Sequence, residues 1–270
     1  MEAKDRIIVA LDVDSLEKAV SLAKTLAPYV GCFKVGLELL TTEGAPQVVK
    51  AIKKVGGKIF YDGKFKDIPN TIAGAVRAVT RLDIQMFNVH CLGGPEMMRI
   101  ARKTAQEEAA LRGGIGGIPR PLVLGVTILT SLDYKDLAEM ELMEKLNIAD
   151  PEEAKTIKAD RIKQLVRNLA WLAQESGLDG VIASPQEIEA IREYCQPEFL
   201  VVTPGVRPAW AAVGDQKRVM TPGEAIKAGA DYLVIGRPIT KPSPEIGSPV
   251  DAAKKIAEEI EKVLPFKEGG

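Results

Sequence analysis

The sequence predicts an α/β fold in one domain spanning residues 1–270, a closed (β/α)8 barrel of the TIM type, and three observations carry that prediction. Eight short apolar runs recur along the chain, each followed by a segment with helical spacing of apolar residues. The runs are apolar on both faces, as expected of parallel strands covered by helices on one side and by a packed interior on the other. The length of 270 residues suits such a barrel, which typically takes about 250. A doubly wound open sheet is the alternative reading of the same alternation. In both folds the active site lies at the carboxyl ends of the strands, so polar residues there are the first candidates for chemistry.

In chain order, Ile7 to Leu11 (IIVAL) is a strand closed by Asp12. Asp14-Ser15-Leu16-Glu17 then starts a helix in which Ala19, Val20, Leu22, Ala23 and Leu26 share one buried face. Cys32 to Leu37 (CFKVGL) is the second strand, and a helix from about Thr42 to Val55 follows, closed by Gly56-Gly57. Lys58-Ile59-Phe60-Tyr61 is the body of the third. Pro69 opens a helix that runs to about Arg81, because proline suits a first helical turn. Ile84 to Cys91 is the fourth strand, and Gly93-Gly94-Pro95-Glu96 begins the next helix. Leu122 to Leu129 is the fifth, followed by a charged helical region from Leu132 to Glu175 interrupted near Asn147 to Pro151. Gly180 to Ala183, Phe199 to Thr203 and Tyr232 to Ile235 supply the last three strands, and Val250 to Leu264 the last helix. Gly113-Gly114-Ile115-Gly116-Gly117 matches no nucleotide fingerprint, since no strand leads into it, and is expected to be a flexible loop.

Composition removes several functions. A formal charge of -1 offers no basic excess for a phosphate backbone, so nucleic acid is not an expected partner. No stretch approaches the roughly 18 apolar residues that span a bilayer, and the N-terminal apolar run is too short for a signal peptide, so a cytoplasmic protein without a membrane partner is expected. Cys32, Cys91 and Cys195 are far apart and each sits in or beside an apolar segment. They are expected to be reduced, buried thiols. His90 is the single histidine, which excludes a multi-histidine metal site. It lies in the apolar run IQMFNVHC and is expected at the core or rim. Acid-base work therefore falls to Lys, Asp and Glu.

The charge gathers at strand ends. In KIFYDGKFKDIPNT, Lys58 to Thr71, a period of two sends Phe60, Asp62 and Lys64 to one face and Tyr61, Gly63 and Phe65 to the other. Asp12 closes the first strand and Lys34 interrupts the second, so a closed barrel would set Asp12, Lys34, Asp62 and Lys64 side by side. Alternating lysines and aspartates can satisfy one another inside a barrel through charge-assisted hydrogen bonds, where a lone charge could not. Asp67 could serve as the cap of the following helix. Opposite this row, Thr203-Pro204-Gly205-Val206-Arg207-Pro208 and Gly236-Arg237-Pro238 follow strands seven and eight, the loops from which such barrels commonly build a phosphate pocket. Glycine lets a backbone N–H approach a phosphate oxygen, and arginine adds a bidentate clamp.

These residues match a known family. DGKFKDIPNT is similar to the Asp-x-Lys-x-x-Asp-Ile-Pro-x-Thr signature of the orotidine 5'-monophosphate decarboxylase family, and ALDVD, FKVG, NVH, VTILTS, SGLDGVIAS, VTPGVRP, DQKRVMTP and GADYLVIGRPIT stand in that family's order. The resemblance implies decarboxylation of orotidine 5'-monophosphate to uridine 5'-monophosphate in pyrimidine biosynthesis, by a homodimer with no cofactor and no metal. It implies that Lys64 protonates C6 as carbon dioxide leaves, that Asp62 lies beside the substrate carboxylate, and that Lys34 holds the ribose and Asp62. It assigns Asp12 to the ribose hydroxyls, makes Asp67 the fourth catalytic member of a Lys34/Asp62/Lys64/Asp67 charge network, and sends Asp67 and Thr71 into the neighbouring subunit's site. Thr130 and Ser131 fall to the pyrimidine edge, and Arg207, Gln216, Gly236 and Arg237 to the phosphate, with a loop from about Pro208 to Arg218 closing over it. Gly63 and Lys66 depart from the residues frequent in relatives. Two alternatives share much of the pattern: a magnesium-dependent sugar-phosphate decarboxylase or aldolase of the same barrel group, and a barrel that only binds a nucleotide.

Overall fold

In the computed structural model, which describes residues 1–112, 119–211 and 220–265, eight parallel strands close in sequence order. They are β1 (Ile7–Ala10), β2 (Cys32–Val35), β3 (Ile59–Phe65), β4 (Met86–His90), β5 (Leu122–Val126), β6 (Gly180–Ile182), β7 (Leu200–Pro204) and β8 (Tyr232–Ile235). Pairing of Ile7, Ile8 and Val9 with Leu233, Val234 and Ile235 joins the first strand to the last, which decides for the closed barrel over the open sheet. The helices outside it are α1 (Leu16–Leu26), α2 (Leu37–Glu43), α3 (Ala45–Lys54), α4 (Pro69–Thr80), α5 (Pro95–Arg112), α6 (Tyr134–Glu139), α7 (Pro151–Glu175), α8 (Ile188–Arg192), α9 (Pro222–Ala228), α10 (Arg237–Thr240) and α11 (Pro249–Glu261). The predicted flexible loop at 113–117 lies outside the described residues.

Side-chain caps set five of these helix starts. Ser15 accepts a hydrogen bond from Lys18 N at the head of α1, and Asp150 accepts from Glu152 N and Glu153 N ahead of the Pro151 that opens α7. Asp133, Thr221 and Ser248 each form a reciprocal capping box, at α6, α9 and α11. Elsewhere the boundaries differ from expectation. The predicted helix over Thr42 to Val55 begins at Leu37 instead, breaks at Gly44 with φ 79°, and resumes as α3. The second strand therefore ends at Val35, because Gly36 is already the N-cap of α2, whose Leu39 is buried in the first turn. The fifth strand stops at Val126. Thr127 makes the last bonds to β6, its backbone N–H at 3.3 Å and its hydroxyl at 3.0 Å both donating to Ile182 O.

Two shells of side chains hold the molecule. Outward residues such as Val9, Phe33, Val35, Phe87, Val89 and Val201 pack beneath the helices. Inward residues fill the barrel as a separate cluster: Ile8, Ala10, Cys32, Phe60, Met86, Leu124, Val202 and Val234. Two residues further along β2, β3 and β4, the period of two points Lys34, Asp62 and Asn88 the same way. An apolar floor thus carries a polar layer at the mouth. The opposite end is pinned by two arginine–aspartate pairs that also bind the backbone. Arg120 clamps Asp179 with two bonds of 2.7 Å while Asp179 accepts from Val123 N; Arg192 holds Asp231, Phe199 O and Gly229 O while Asp231 accepts from Val201 N. At that end of such a barrel, charge serves stability.

Candidate active site

The polar layer is a single row of alternating charge. Lys34 Nζ lies 3.1 Å from Asp12 Oδ1 and 3.2 Å from Asp62 Oδ2, and Lys64 Nζ donates to Asp62 Oδ1 at 2.7 Å. Asp62 is 6% exposed, so its charge is tolerated only because both oxygens are taken by cations. β3 reaches this geometry through an irregularity. Its pairing with β4 shifts between Tyr61 and Phe65, and Lys64 adopts the left-handed region at φ 48°. The expected even alternation thus holds for Phe60 and Asp62 and is broken at Gly63 and Lys64. The Tyr61 and Phe65 rings stand 5.6 Å apart and close on Gly63, where a Cβ would come within 2.5 Å of the Tyr61 ring.

Electrostatics follow from this packing. Burial pushes the Asp62 carboxyl up, but the Lys34 and Lys64 charges and the bonds from Lys64 and Asn88 outweigh it, and the net direction is down. Burial likewise pulls the Lys34 ammonium down, while Asp62 and Asp12 reverse this and hold it above the usual lysine range. His90 closes β4 at the rim, half-buried as expected. Burial, then the charges of Lys66 and Lys64, hold its imidazole below the usual value. Lys66 thus acts on His90, adding to the positive charge that faces it from Lys64. Cys32, Cys91 and Cys195 are buried and unpaired, as predicted, and burial pushes the Cys32 and Cys91 thiols up to about 12.

A cavity of about 230 Å³ opens on this row. Lys34, Asp62, Lys64 and Thr130 supply its polar wall, and Phe60, Val126, Ile128, Ile182, Ala183 and Pro204 are among its apolar lining. A mostly apolar cavity with a few fixed polar groups is the usual form of a small-molecule site. Ser131, next to Thr130, is exposed. On the far side Gly236 sits against the row: a Cβ there would lie 3.6 Å from Ala10 Cβ and 4.0 Å from Asp12 Oδ2. Arg237 is the exposed first residue of α10. Arg207 is buried, its N–H bonded to Met220 O at 3.0 Å, so the two ends of the loop after β7 are tied together. Gln216 and most of the predicted closing loop lie outside the described residues.

Two predicted residues stand apart. Asp67 and Thr71 are exposed around the start of α4, and Asp67 accepts from Ile68 N at 2.7 Å, its one polar contact among the described residues. The cap position of α4 belongs to Ile68, so Asp67 is not the helix cap. One residue escaped the sequence argument. Asn88, fully buried on β4, donates from Nδ2 to Asp62 Oδ1 at 2.7 Å and accepts Lys64 N–H at Oδ1, also at 2.7 Å. A lone amide in the apolar run IQMFNVHC was the available signal, since a buried amide must find partners. Among the described residues, no group of three or more His, Cys, Asp or Glu is placed to hold a metal ion. No described helix is long and apolar enough to cross a membrane.

Fold and site together define a (β/α)8 barrel with a row of lysine and aspartate at the carboxyl ends of its first three strands, the end at which enzymes of this fold carry their active sites. The profile of the Orotidine 5'-phosphate decarboxylase / HUMPS family matches residues 5–256. The chain belongs to that family. It is 48% identical to the orotidine 5'-phosphate decarboxylase of Syntrophomonas wolfei, covering 97% of this chain and 100% of that one. With the protein of the same name from Moorella thermoacetica the identity is 50%, covering 97% of this chain and 95% of that one. Among solved structures, the orotidine 5'-phosphate decarboxylase of Lactobacillus acidophilus superposes with a TM-score of 0.72 at 34% identity, over 94% of this chain and 98% of that one.

Proposed function

We propose that this protein decarboxylates orotidine 5'-monophosphate to uridine 5'-monophosphate without a metal or cofactor, with Lys64 as proton donor. The observation that carries this is the Lys34–Asp62–Lys64 row at the mouth of an apolar slot, in a chain of this family. The pyrimidine ring occupies the slot with its carboxylate toward Asp62 and C6 toward Lys64. The C6–carboxylate bond breaks and carbon dioxide leaves. The electron pair stays on C6 in an orbital the ring cannot delocalise, and the Lys64 ammonium stabilises it and then transfers its proton there. Because the charges are already ordered by one another, little reorganisation accompanies bond cleavage.

Asp12 and Lys34 bind the ribose, Thr130 and Ser131 the pyrimidine edge, and Arg207, Gln216, Gly236 and Arg237 the phosphate. Binding energy from the phosphate, remote from the reacting carbon, holds the substrate in the slot and excludes water. The working unit is a homodimer in the cytoplasm, with Asp67 and Thr71 of each subunit completing the other's site. The exposed stretch Asp67, Ile68 and Thr71 supports this, since Ile68 is 67% exposed beside two polar residues that the chain itself leaves outside the row.

The deciding experiment follows ultraviolet absorbance as orotidine 5'-monophosphate is added in excess chelator, with Lys64→Ala alongside. Conversion by the parent and none by the variant is expected. Turnover that disappears with chelator, or turnover of a keto-sugar phosphate instead, would overturn the proposal in favour of a magnesium-dependent relative.

A further inference from the structure

Between the pairs Tyr61↔Phe87 and Phe65↔Val89, β3 carries Asp62, Gly63 and Lys64 where β4 carries only Asn88. The surplus length bends β3 and interrupts its ladder of backbone bonds. It falls where the two charges must be placed. The Asn88 amide spans the gap, accepting Lys64 N–H and donating to Asp62 Oδ1, each at 2.7 Å. Chemistry decides which way this amide points, because a carboxylate only accepts and a backbone N–H only donates. Asn88 is fully buried, so bulk solvent is not at hand to replace either of its bonds. Lys64 meanwhile holds φ 48°, a region that a residue with a side chain keeps only when its surroundings impose it.

We propose that Asn88 is a positioning residue: one buried amide holds the Lys64 backbone in its left-handed turn and aims the Asp62 carboxylate, and so sets where the proton donor stands. The kinetic consequence rests on the decarboxylase reading; the geometric one does not. Other side chains cannot do both jobs. Aspartate of the same shape would set carboxylate against carboxylate, leucine of similar bulk makes neither bond, and serine is too short to reach both partners.

The test compares Asn88→Leu, Asn88→Asp and Asn88→Ser with the parent in kcat, in uridine 5'-monophosphate affinity and in hydrogen exchange at the Lys64 amide. Serine keeps the comparison available if leucine prevents folding. All variants should lose about 100-fold in kcat, the scale of a misplacement of about 1 Å, while product affinity changes less than about threefold. The Lys64 amide should exchange faster in each variant. Should leucine or aspartate keep kcat near the parent's, shape alone would suffice and the proposal falls; it falls also if kcat and product affinity drop equally. Where the parent itself fails to turn over the nucleotide, the decarboxylase reading is lost. The exchange result then decides, unchanged protection at Lys64 overturning the proposal and faster exchange sustaining it.

Discussion

Replacing Asp62 with alanine removes the hinge of the charged row, and the structure sets the size of the effect. Three partners lose their acceptor: Lys64 at 2.7 Å, Asn88 at 2.7 Å and Lys34 at 3.2 Å. They are not equally harmed. The Lys64 side chain is 31% exposed and rehydrates, while Lys34, 14% exposed, keeps Asp12 at 3.1 Å. Asn88, fully buried, is left with an orphaned N–H. Breaking a fully buried ion pair costs about 3–5 kcal/mol and orphaning a buried donor about 1–3, so with one cation rehydrated and the other still paired we expect a loss of about 2–4 kcal/mol. Urea unfolding at pH 7, extrapolated linearly for parent and variant, reads this directly. The pH dependence is a second check. A carboxyl held below its ordinary value stabilises the fold fully above the unfolded-state pKa, about 3.9, and that contribution is lost as pH falls through the lower, folded-state value. The gap between parent and variant should therefore narrow in acid. Equal stabilities at pH 7, or a gap that stays constant down to the acid limit of folding, would refute the charge argument.

Arg237→Ala should weaken binding of the nucleotide much more than binding of the corresponding nucleoside, and calorimetry showing equal losses would count against the phosphate assignment. Arg192→Ala, at the far end of the barrel, gives up bonds to Asp231, Phe199 O and Gly229 O and should cost about 2–3 kcal/mol of stability. Its KM should remain that of the parent, since the residue touches nothing at the mouth. Mixing inactive Lys64→Ala and Asp67→Ala subunits should restore activity at about a quarter of all sites, because each mixed dimer then has one site carrying both lesions and one carrying neither. Absence of any recovery after confirmed subunit exchange would mean that sites are not shared. At alkaline pH, the Lys34 contribution to stability is full below the unfolded lysine pKa, about 10.4, and should decline as pH rises through the higher, folded value. A thermal midpoint followed from pH 9 to 11 in parent and Lys34→Met measures that decline.

Much of the fold is legible in the chain because strand, turn and cap signals are local. IIVAL, LVLGV and YLVI state their own apolar character, and Asp133, Thr221 and Ser248 cap helices by bonding residues three positions away. The break at Gly44 was missed, since a glycine between two amphipathic segments reads equally as part of one helix until Leu39 is seen to pack on the barrel. The site divides in the same way. Asp12, Lys34, Asp62 and Lys64 announced themselves as charges closing or interrupting apolar runs; simple alternation placed Asp62, while Lys64 reaches it only through the break in alternation at Gly63.

Inward and outward facing can be read along each strand, because a period of two is a property of one strand, and that reading holds up to the departure of β3 at Gly63. The register between strands, by contrast, follows from how the strands pair. The surplus of β3 over β4, the left-handed Lys64, and the Asn88 amide bridging both arise from the pairing of two segments more than twenty residues apart. The same holds for Lys34 between Asp12 and Asp62, and for Asp179 and Asp231 accepting backbone N–H groups of preceding strands. A hydrogen bond is selected by distance and angle to within a few tenths of an ångström. Those are fixed only when the barrel closes and each strand meets its neighbour.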